Sequence, residues 1–192
     1  MVVVLLYVDD IILTDINYDE INYAKKLVEK IGMADRKKNY TPIDVNPRLS
    51  RDEGTCIPDP RPYRALVGSL IYLTITRPDI AYTVGVVSRY MQEPKKPHLE
   101  EAKKFLKYIN TSLDIGLLYE KDAKFVLQGY ADADFAGDRD DRRSTSGFIF
   151  LCGNTSISWS SRKQGSVSLS TTEAEYKASV HAAQECIWLR RL

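Results

Sequence analysis

The sequence has few of the residues that build zinc sites and disulfide frameworks. Its 192 residues include two histidines and three cysteines, and Cys56, Cys152 and Cys186 lie far apart without a Cys-x-x-Cys pair. An odd number of scattered cysteines favours reduced thiols over a secreted, disulfide-stapled domain. We therefore expect an intracellular protein, cytoplasmic or nuclear, without a zinc site.

The chain also lacks an excess of one charge and a long apolar run. The 27 basic and 26 acidic residues give a net charge of +1, so any contact with nucleic acid has to come from a local patch. The apolar run at 2–8 has no basic flank and is too short for a membrane span or a signal peptide. These absences predict a soluble chain without a membrane partner.

Apolar residues at the N-terminus predict a β-hairpin. Residues 2–13 contain two apolar runs separated by Asp9 and Asp10, which favours two short strands around a tight acidic turn. The apolar residues that follow recur at helical spacing up to Gly32, a typical helix stop. Five prolines in residues 40–62 then indicate an extended connector.

Three amphipathic helices are predicted after the connector. Each is expected to begin near a proline, and these are Pro62, Pro78 and Pro97. Their expected apolar faces are Leu66, Val67, Leu70 and Ile71 in the first, Ile80, Val84, Val87 and Met91 in the second, and Ala102, Phe105, Leu106 and Ile109 in the third. Short strands are expected at 115–119, 125–132, 146–151 and 154–160, before a long helix from about Thr171.

Two acidic motifs lie in this C-terminal part. Residues 129–134 read Gly-Tyr-Ala-Asp-Ala-Asp at the end of a strand, and residues 170–176 read Ser-Thr-Thr-Glu-Ala-Glu-Tyr at the start of a helix. Carboxylates so placed could hold a divalent metal. From the spacing alone, an alternative has equal support: Glu175 forms a salt bridge, and Asp132 or Asp134 caps a turn.

The helical spacing predicts which of the two glutamates faces the sheet. Glu175 lies in one stripe with Ala178 and Ala182, which are small enough to let helix and sheet approach closely. A carboxylate in such a junction is costly unless it is paired or metal-bound. Glu173 lies on another face and is suited to a favourable interaction with the helix N-terminus.

The sequence between the two motifs identifies a family. Residues 138–147 read Asp-Arg-Asp-Asp-Arg-Arg-Ser-Thr-Ser-Gly, and residues 157–164 read Ile-Ser-Trp-Ser-Ser-Arg-Lys-Gln. With the acidic motifs, they resemble the ribonuclease H domain of copia-type retrotransposon Pol polyproteins. The resemblance implies that Asp132 and Glu175 are the first two catalytic, Mg²⁺-binding carboxylates, acting on an RNA·DNA hybrid. Asp134 and Glu173 are the alternatives within each motif.

The N-terminal acidic pair resembles a second site of the same family. By itself, Asp-Asp after an apolar strand is more often a turn. Residues 7–10, Tyr-Val-Asp-Asp, nevertheless resemble the motif of the reverse transcriptase palm, which implies that Asp9 and Asp10 are polymerase-type metal ligands. Residues 23–33 resemble a family segment that normally lies further along, so we expect an internal deletion.

The resemblance divides the chain into four regions. These are a reverse transcriptase palm remnant at 1–33, a proline-rich connector at 34–62, a helical thumb- or connection-like module at 63–114, and an incomplete ribonuclease H-like domain at 115–192. The expected fold class is α+β, with a β-hairpin and helices followed by a partial ribonuclease H-like sheet of three antiparallel strands and a helix. The strand at 125–132 is expected to have an exposed edge.

The resemblance also sets the expected activity. The third and fourth ribonuclease H aspartates of the family would follow Leu192, and the third palm aspartate would precede Met1. We therefore expect a catalytically inactive remnant with weak or absent Mg²⁺ binding.

A basic cluster offers an alternative function, that of a non-catalytic fragment that binds nucleic acid or protein. The cluster comprises Arg139, Arg142, Arg143, Arg162 and Lys163. Asp138, Asp140 and Asp141 lie among these residues and offset their charge, so we favour solvated loop charges over a nucleic-acid surface.

Overall fold

The computed structural model describes most of the chain and shows an α+β fold. The residues that it describes are 3–7, 10–14, 18–31, 39–42, 49–117, 124 and 126–191. The strands are β1 (Val3–Tyr7), β2 (Asp10–Thr14), β3 (Leu127–Asp134), β4 (Thr145–Cys152) and β5 (Thr155–Lys163). The α-helices are α1 (Tyr18–Lys30), α2 (Arg61–Leu73), α3 (Ala81–Ser88), α4 (Lys96–Thr111) and α5 (Thr171–Leu189). The predicted fold class is confirmed, whereas the four regional boundaries stay predictions.

The N-terminal hairpin forms as predicted. Strands β1 and β2 pair antiparallel, with Tyr7 opposite Asp10. Asp9 lies outside the described residues, and of Asp10 the structure describes the backbone. No helix among the described residues is long and apolar enough to cross a membrane.

Helices α1 to α4 share one hydrophobic core. Its fully buried side chains include Tyr63, Val67, Phe105 and Leu106, and the Tyr63 hydroxyl donates a hydrogen bond to the Val87 carbonyl at 2.7 Å. The core contains the apolar residues expected for each helix, apart from two. Met91 packs against it partly buried, and Ile71 is 45% exposed.

The position of Ile71 follows from the helical period. The buried stripe of α2 is Tyr63, Leu66, Val67, Leu70 and Leu73. Successive helical residues are rotated by about 100°, so Ile71 lies beside this stripe and outside the core. The prediction that Ile71 belongs to the buried face is therefore wrong.

The C-terminal part is a three-stranded antiparallel sheet covered by α5. The strand order is β3-β4-β5, and Ala182 of α5 is buried in one cluster with the sheet residues Phe148 and Phe150. Among the described residues β3 pairs with β4 alone, which confirms its exposed edge. This arrangement is consistent with a partial ribonuclease H-like fold.

Several strand bounds differ from prediction, and β5, expected at 154–160, continues to Lys163. Residues 115–117 are not in a strand, and 118–119 lie outside the described residues. Strand β3 continues to Asp134, so Asp132 lies within the strand rather than at its end. Pairing of Asp134 with Thr145 extends the ladder, because tertiary contacts override the local turn preference of aspartate.

A buried carboxylate joins the helices to the sheet. The Asp138 side chain is 3% exposed and accepts hydrogen bonds from Arg89 of the segment after α3, at 3.0 Å, and from Lys163 of β5, at 2.6 Å. The backbone N–H groups of Asp140 and Asp141 donate to the same carboxylate at 2.9 and 3.2 Å. Burial raises the pKa of Asp138, but these donors, Lys163 foremost, outweigh it and lower the pKa to about 2.

The chain before α2 reinforces this junction. The Ser50 hydroxyl and the Arg51 N–H donate to the Asp140 carboxylate at 2.7 and 3.0 Å. The Ser50 carbonyl accepts a hydrogen bond from Nε2 of His98 at 3.0 Å, because Nδ1 of His98 accepts from the Lys95 N–H. One segment thus contacts both the helices and the loop that carries Asp138.

Replacing Asp138 by asparagine should weaken the junction. Asp138→Asn leaves Arg89 beside a neutral group and Lys163 with Asp141 as its remaining carboxylate partner, and we expect the free energy of unfolding to fall by about 3 kcal/mol in urea titrations. Asp52→Asn, at an exposed aspartate, should change it by less than about 0.5 kcal/mol. Folding lowers the pKa of Asp138 from its usual value of 3.8 to about 2. The contribution of the Asp138 carboxylate to stability is therefore complete above pH 3.8 and is lost as the pH falls towards about 2. An equal effect of the two variants would contradict this assignment.

A methyl group at Gly129 should strain the sheet. A Cβ there would overlap the ring of Phe150, which is buried. We expect Gly129→Ala to lower the melting temperature and to cost about 1–3 kcal/mol. The matched variant Gly68→Ala adds a methyl on the exposed side of α2, with nothing within 4 Å, and should stabilise by about 1 kcal/mol. Gly129→Ala as stable as the wild type would show that the ring moves freely.

His98 should make stability depend on pH near neutrality. The ring is fully buried and stacks on Tyr90 with centroids 3.8 Å apart. Burial lowers the pKa of His98, and Lys95 lowers it further against the opposing hydrogen bond to Ser50. The unfolded chain therefore binds the proton more tightly, and stability should fall as the pH drops below 6.5, the usual histidine value. Chemical denaturation at several pH values should show this slope, and His98→Gln should remove it.

Candidate functional site

A cavity of about 330 Å³ lies between the helices and the sheet. Its roof is formed by Pro78, Ala81 and Tyr82 at the start of α3. Its floor is the face of the sheet that points away from α5, and the floor residues include Tyr130, Asp132, Asp134, Thr145, Gly147, Ile149, Trp159 and Ser161. The first predicted ribonuclease H carboxylate, Asp132, thus lies in a concave site.

Strand register arranges the floor in three rows. Tyr130, Ile149 and Trp159 lie side by side in an apolar and aromatic row. Asp132, Gly147 and Ser161 form the next row, and Asp134, Thr145 and Lys163 the third. Residues two apart on a strand share a face, so the aromatic row and both carboxylates face the same space.

Asp134 has a structural role in this floor. Its carboxylate accepts a hydrogen bond from the Thr145 N–H and packs so closely on Gly137 that a Cβ there would overlap it. The Ser144 hydroxyl, which is buried, accepts from the Ala136 N–H at 3.0 Å. Asp134 therefore caps the loop that leads from β3 to the buried Asp138, as the turn-capping alternative predicts.

Asp132 is the carboxylate that remains available. It is exposed, and it has no hydrogen-bond or ion-pair partner among the described residues. Gly147 lies opposite it and carries no side chain, so the floor next to Asp132 is open. A ligand in the cavity could reach this carboxylate without displacing a protein group.

Two aromatic residues of the cavity, Trp159 and Tyr82, interact with the rest of the protein. The indole N–H of Trp159 donates to the carbonyl of Thr74, at the end of α2, at 2.9 Å. Burial raises the pKa of the Tyr82 hydroxyl, and the negative charge of Asp134 raises it further. Tyr82 therefore stays protonated and neutral beside Asp134 at physiological pH.

The structure corrects the predicted position of Glu175. Its side chain is exposed, and the buried stripe of α5 begins one residue earlier, at Ala174, and continues through Ala178 and Ala182. The four-residue spacing of these alanines fits the sheet without a carboxylate in the junction. The prediction that Glu175 leads the buried stripe is wrong, because burial of a methyl group avoids the desolvation cost.

Glu173 instead caps α5, as its position predicts. The Ser170 hydroxyl accepts from the Glu173 N–H at 3.1 Å, and the Glu173 carboxylate accepts from the Leu169 N–H at 2.8 Å. Lys177, one turn on, lies 2.7 Å from the carboxylate. The hydrogen bond from Lys177, followed by that from Leu169, lowers the pKa of Glu173.

Asp132 faces away from the helix that carries Glu175. Ala131 pairs with Phe148, which belongs to the cluster beneath α5, so Ala131 faces α5 and Asp132 faces away from it. Glu175 lies on α5 and does not line the cavity. Over the described ranges, no three His, Cys, Asp or Glu side chains are grouped so that they could hold a metal ion.

The basic cluster is largely paired with nearby carboxylates. Lys163 contacts Asp138 at 2.6 Å and Asp141 at 2.7 Å, and Arg143 contacts Asp141 at 3.6 Å. Arg139 pairs with Glu53 at 3.3 Å. The charges of these three basic residues are therefore offset locally, although Lys163 pairs with the buried Asp138 and not with a solvated loop charge. That the cluster is not a nucleic-acid surface stays a prediction.

Sequence reasoning missed the role of Asp138. Its motif has three aspartates in four positions, and nothing in the spacing shows that one of them is buried. An aspartate followed by residues whose N–H groups can reach back to it is a turn signal, which could have suggested a capping role. The partnership with Arg89 is a long-range contact that local patterns do not encode.

Comparisons with known proteins place the chain in a family. A retrovirus-related Pol polyprotein from transposon RE2 of Arabidopsis thaliana is 41% identical over 167 residues, which make up 87% of this chain. An uncharacterized mitochondrial protein of the same plant is 40% identical over 167 residues and is covered over 69% of its length. Secreted RxLR effector protein 161 of Plasmopara viticola is 43% identical over 129 residues, with 91% of its length covered.

The matches differ in how much of each relative they cover. The chain spans 12% of the length of the RE2 polyprotein and of a second Arabidopsis Pol polyprotein, from transposon RE1. No family model and no solved structure matches the chain. Sequence identity of about 40% over most of this chain is nevertheless sufficient to assign the family. The chain belongs to the family of retrovirus-related Pol polyproteins of copia-type transposons.

Proposed function

We propose that this retrotransposon-derived chain is a reverse transcriptase and ribonuclease H remnant without catalytic activity of its own. The observation that carries the proposal is the separation of Asp132 from Glu175. One carboxylate faces the cavity, and the other is exposed on the helix that covers the opposite face of the sheet. The three antiparallel strands and α5 supply the partial ribonuclease H-like scaffold on which both residues lie.

The chemistry explains why this separation matters. Hydrolysis of an RNA strand by two Mg²⁺ ions requires carboxylates that converge on both ions, about 4 Å apart. Hydrated Mg²⁺ gives up its waters reluctantly, so isolated carboxylates bind it weakly. Asp134 could join such a site only by giving up the hydrogen bond that its carboxylate accepts from the Thr145 N–H.

The palm-like hairpin supports the same conclusion for polymerase activity. Strands β1 and β2 form a two-stranded sheet, and among the described residues neither pairs with a further strand. A two-stranded hairpin is marginally stable by itself. Asp9 and Asp10 are therefore proposed as relics of polymerase metal ligands, and primer extension by this chain should be absent.

The basic loops do not favour nucleic-acid binding as the main function. Phosphate contacts need cations that are free to exchange their counterions for the nucleic acid. Lys163, Arg139 and Arg143 already contact carboxylates of the protein. Binding to an RNA·DNA hybrid is therefore expected to be weak and to disappear as salt is raised.

Cleavage of a labelled RNA·DNA hybrid tests the proposal. The purified chain is incubated with the hybrid in Mg²⁺, alongside Asp132→Asn, Glu175→Gln and an active ribonuclease H as positive control. We expect no cleavage above background by the wild type or by either variant. The same samples give hybrid affinity at low and high salt.

Two other outcomes are informative. Mg²⁺-dependent cleavage that both variants lose would overturn the proposal and show that the two carboxylates do act together. Tight hybrid binding that persists at high salt and in Asp132→Asn would indicate that the chain is a nucleic-acid-binding protein and not an inactive remnant.

A further inference from the structure

We propose that the cavity between α3 and the sheet binds a small organic cation of the alkylammonium class, held by Asp132 and the aromatic side chains of Tyr82, Tyr130 and Trp159. The inference rests on the cavity itself and does not depend on whether the chain hydrolyses RNA. Asp132 here binds an amine directly, in contrast to its metal-ligand role in the parent family.

The size and lining of the cavity suit a small ligand. A volume of about 330 Å³ is at the lower end of the range for ligand pockets. Within the aromatic row of the floor, Trp159 is held by its hydrogen bond to the Thr74 carbonyl. Tyr82 lines the cavity from the α3 side, so aromatic residues lie on two sides of a space that is open to solvent.

Charge complementarity determines which ligand fits. Asp132 and Asp134 both line the cavity, and Asp132 has no protein partner among the described residues. Lys163, in the floor row of Asp134, and Arg89, which also donates to the Thr145 hydroxyl at 2.9 Å, are both bound by the buried Asp138. Neither is paired with Asp132, so a cationic ligand could neutralise that carboxylate.

The spacing of the rows favours an ammonium group on an aliphatic chain. Rows two residues apart on a strand are separated by about 7 Å, so one end of a short chain can reach Asp132 while its body lies against Tyr130 and Ile149. Aromatic faces attract ammonium groups and also accept methylene groups. A hydrated Mg²⁺ ion would gain nothing from these rings.

Titration with 1,4-diaminobutane, followed by NMR, tests the proposal. The readout is the indole N–H resonance of Trp159, assigned by comparison with Trp188→Phe. We expect a saturable shift of this resonance with the diamine and little shift with 1,4-butanediol, which has the same chain without charge. Asp132→Asn should weaken binding about tenfold, which corresponds to one lost charged contact.

Matched variants separate the cavity from general electrostatics. Asp114→Asn removes an exposed aspartate that does not line the cavity and should leave the affinity unchanged. Tyr82→Leu keeps an apolar roof but removes the ring, and it should weaken binding of the diamine while the variant stays folded. Equal losses in Asp132→Asn and Asp114→Asn would overturn the proposal.

Two further results would also overturn it. An equal response to 1,4-butanediol would show that the cavity is merely apolar. Saturation of the Trp159 shift by MgCl₂ at lower concentration than by the diamine would show a metal site instead. Because the readout is binding, the absence of RNA cleavage supports the proposed function without bearing on this inference.

Discussion

The buried carboxylate of Asp138 is the contact on which the arrangement of the two halves of the fold depends. It joins Arg89 beyond α3 to Lys163 of β5, and it orders the loop after β3 through two backbone N–H groups. A carboxylate that is 3% exposed is tolerated because every donor around it is directed at its oxygens. Further contacts link the two halves, among them the ion pair of Arg139 with Glu53, the hydrogen bond from Trp159 to the Thr74 carbonyl and the packing of α3 against β5.

The cavity is a consequence of that junction. Holding α3 above β5 places Tyr82 over the floor residues Tyr130 and Trp159, and it leaves space where Gly147 has no side chain. Within this space two aspartates of one motif have different roles. Asp134 caps the Thr145 N–H, whereas Asp132 has no protein partner among the described residues. Both side chains lie on the same face of β3, so their different contacts follow from the residues opposite them, Thr145 for Asp134 and Gly147 for Asp132.

Family membership and site geometry answer different questions for this chain. About 40% identity to Pol polyproteins establishes ancestry, but a site is defined by where its side chains lie. Helical periodicity placed most of the core correctly, including Val67, Phe105 and Leu106. It erred at Ile71 and Glu175, since each lies one residue from a buried stripe and the period alone allows either choice.

The family, the α+β class, the order of hairpin, helices, sheet and final helix, and the capping role of Glu173 can all be read from the residues, because local periodicity, caps and motifs encode these features. The burial of Asp138 between Arg89 and Lys163, the place of Ala174 in the junction and the cavity in front of Asp132 emerge with the folded chain. Burial and long-range ion pairs depend on which elements pack together, and residues far apart in sequence determine that packing.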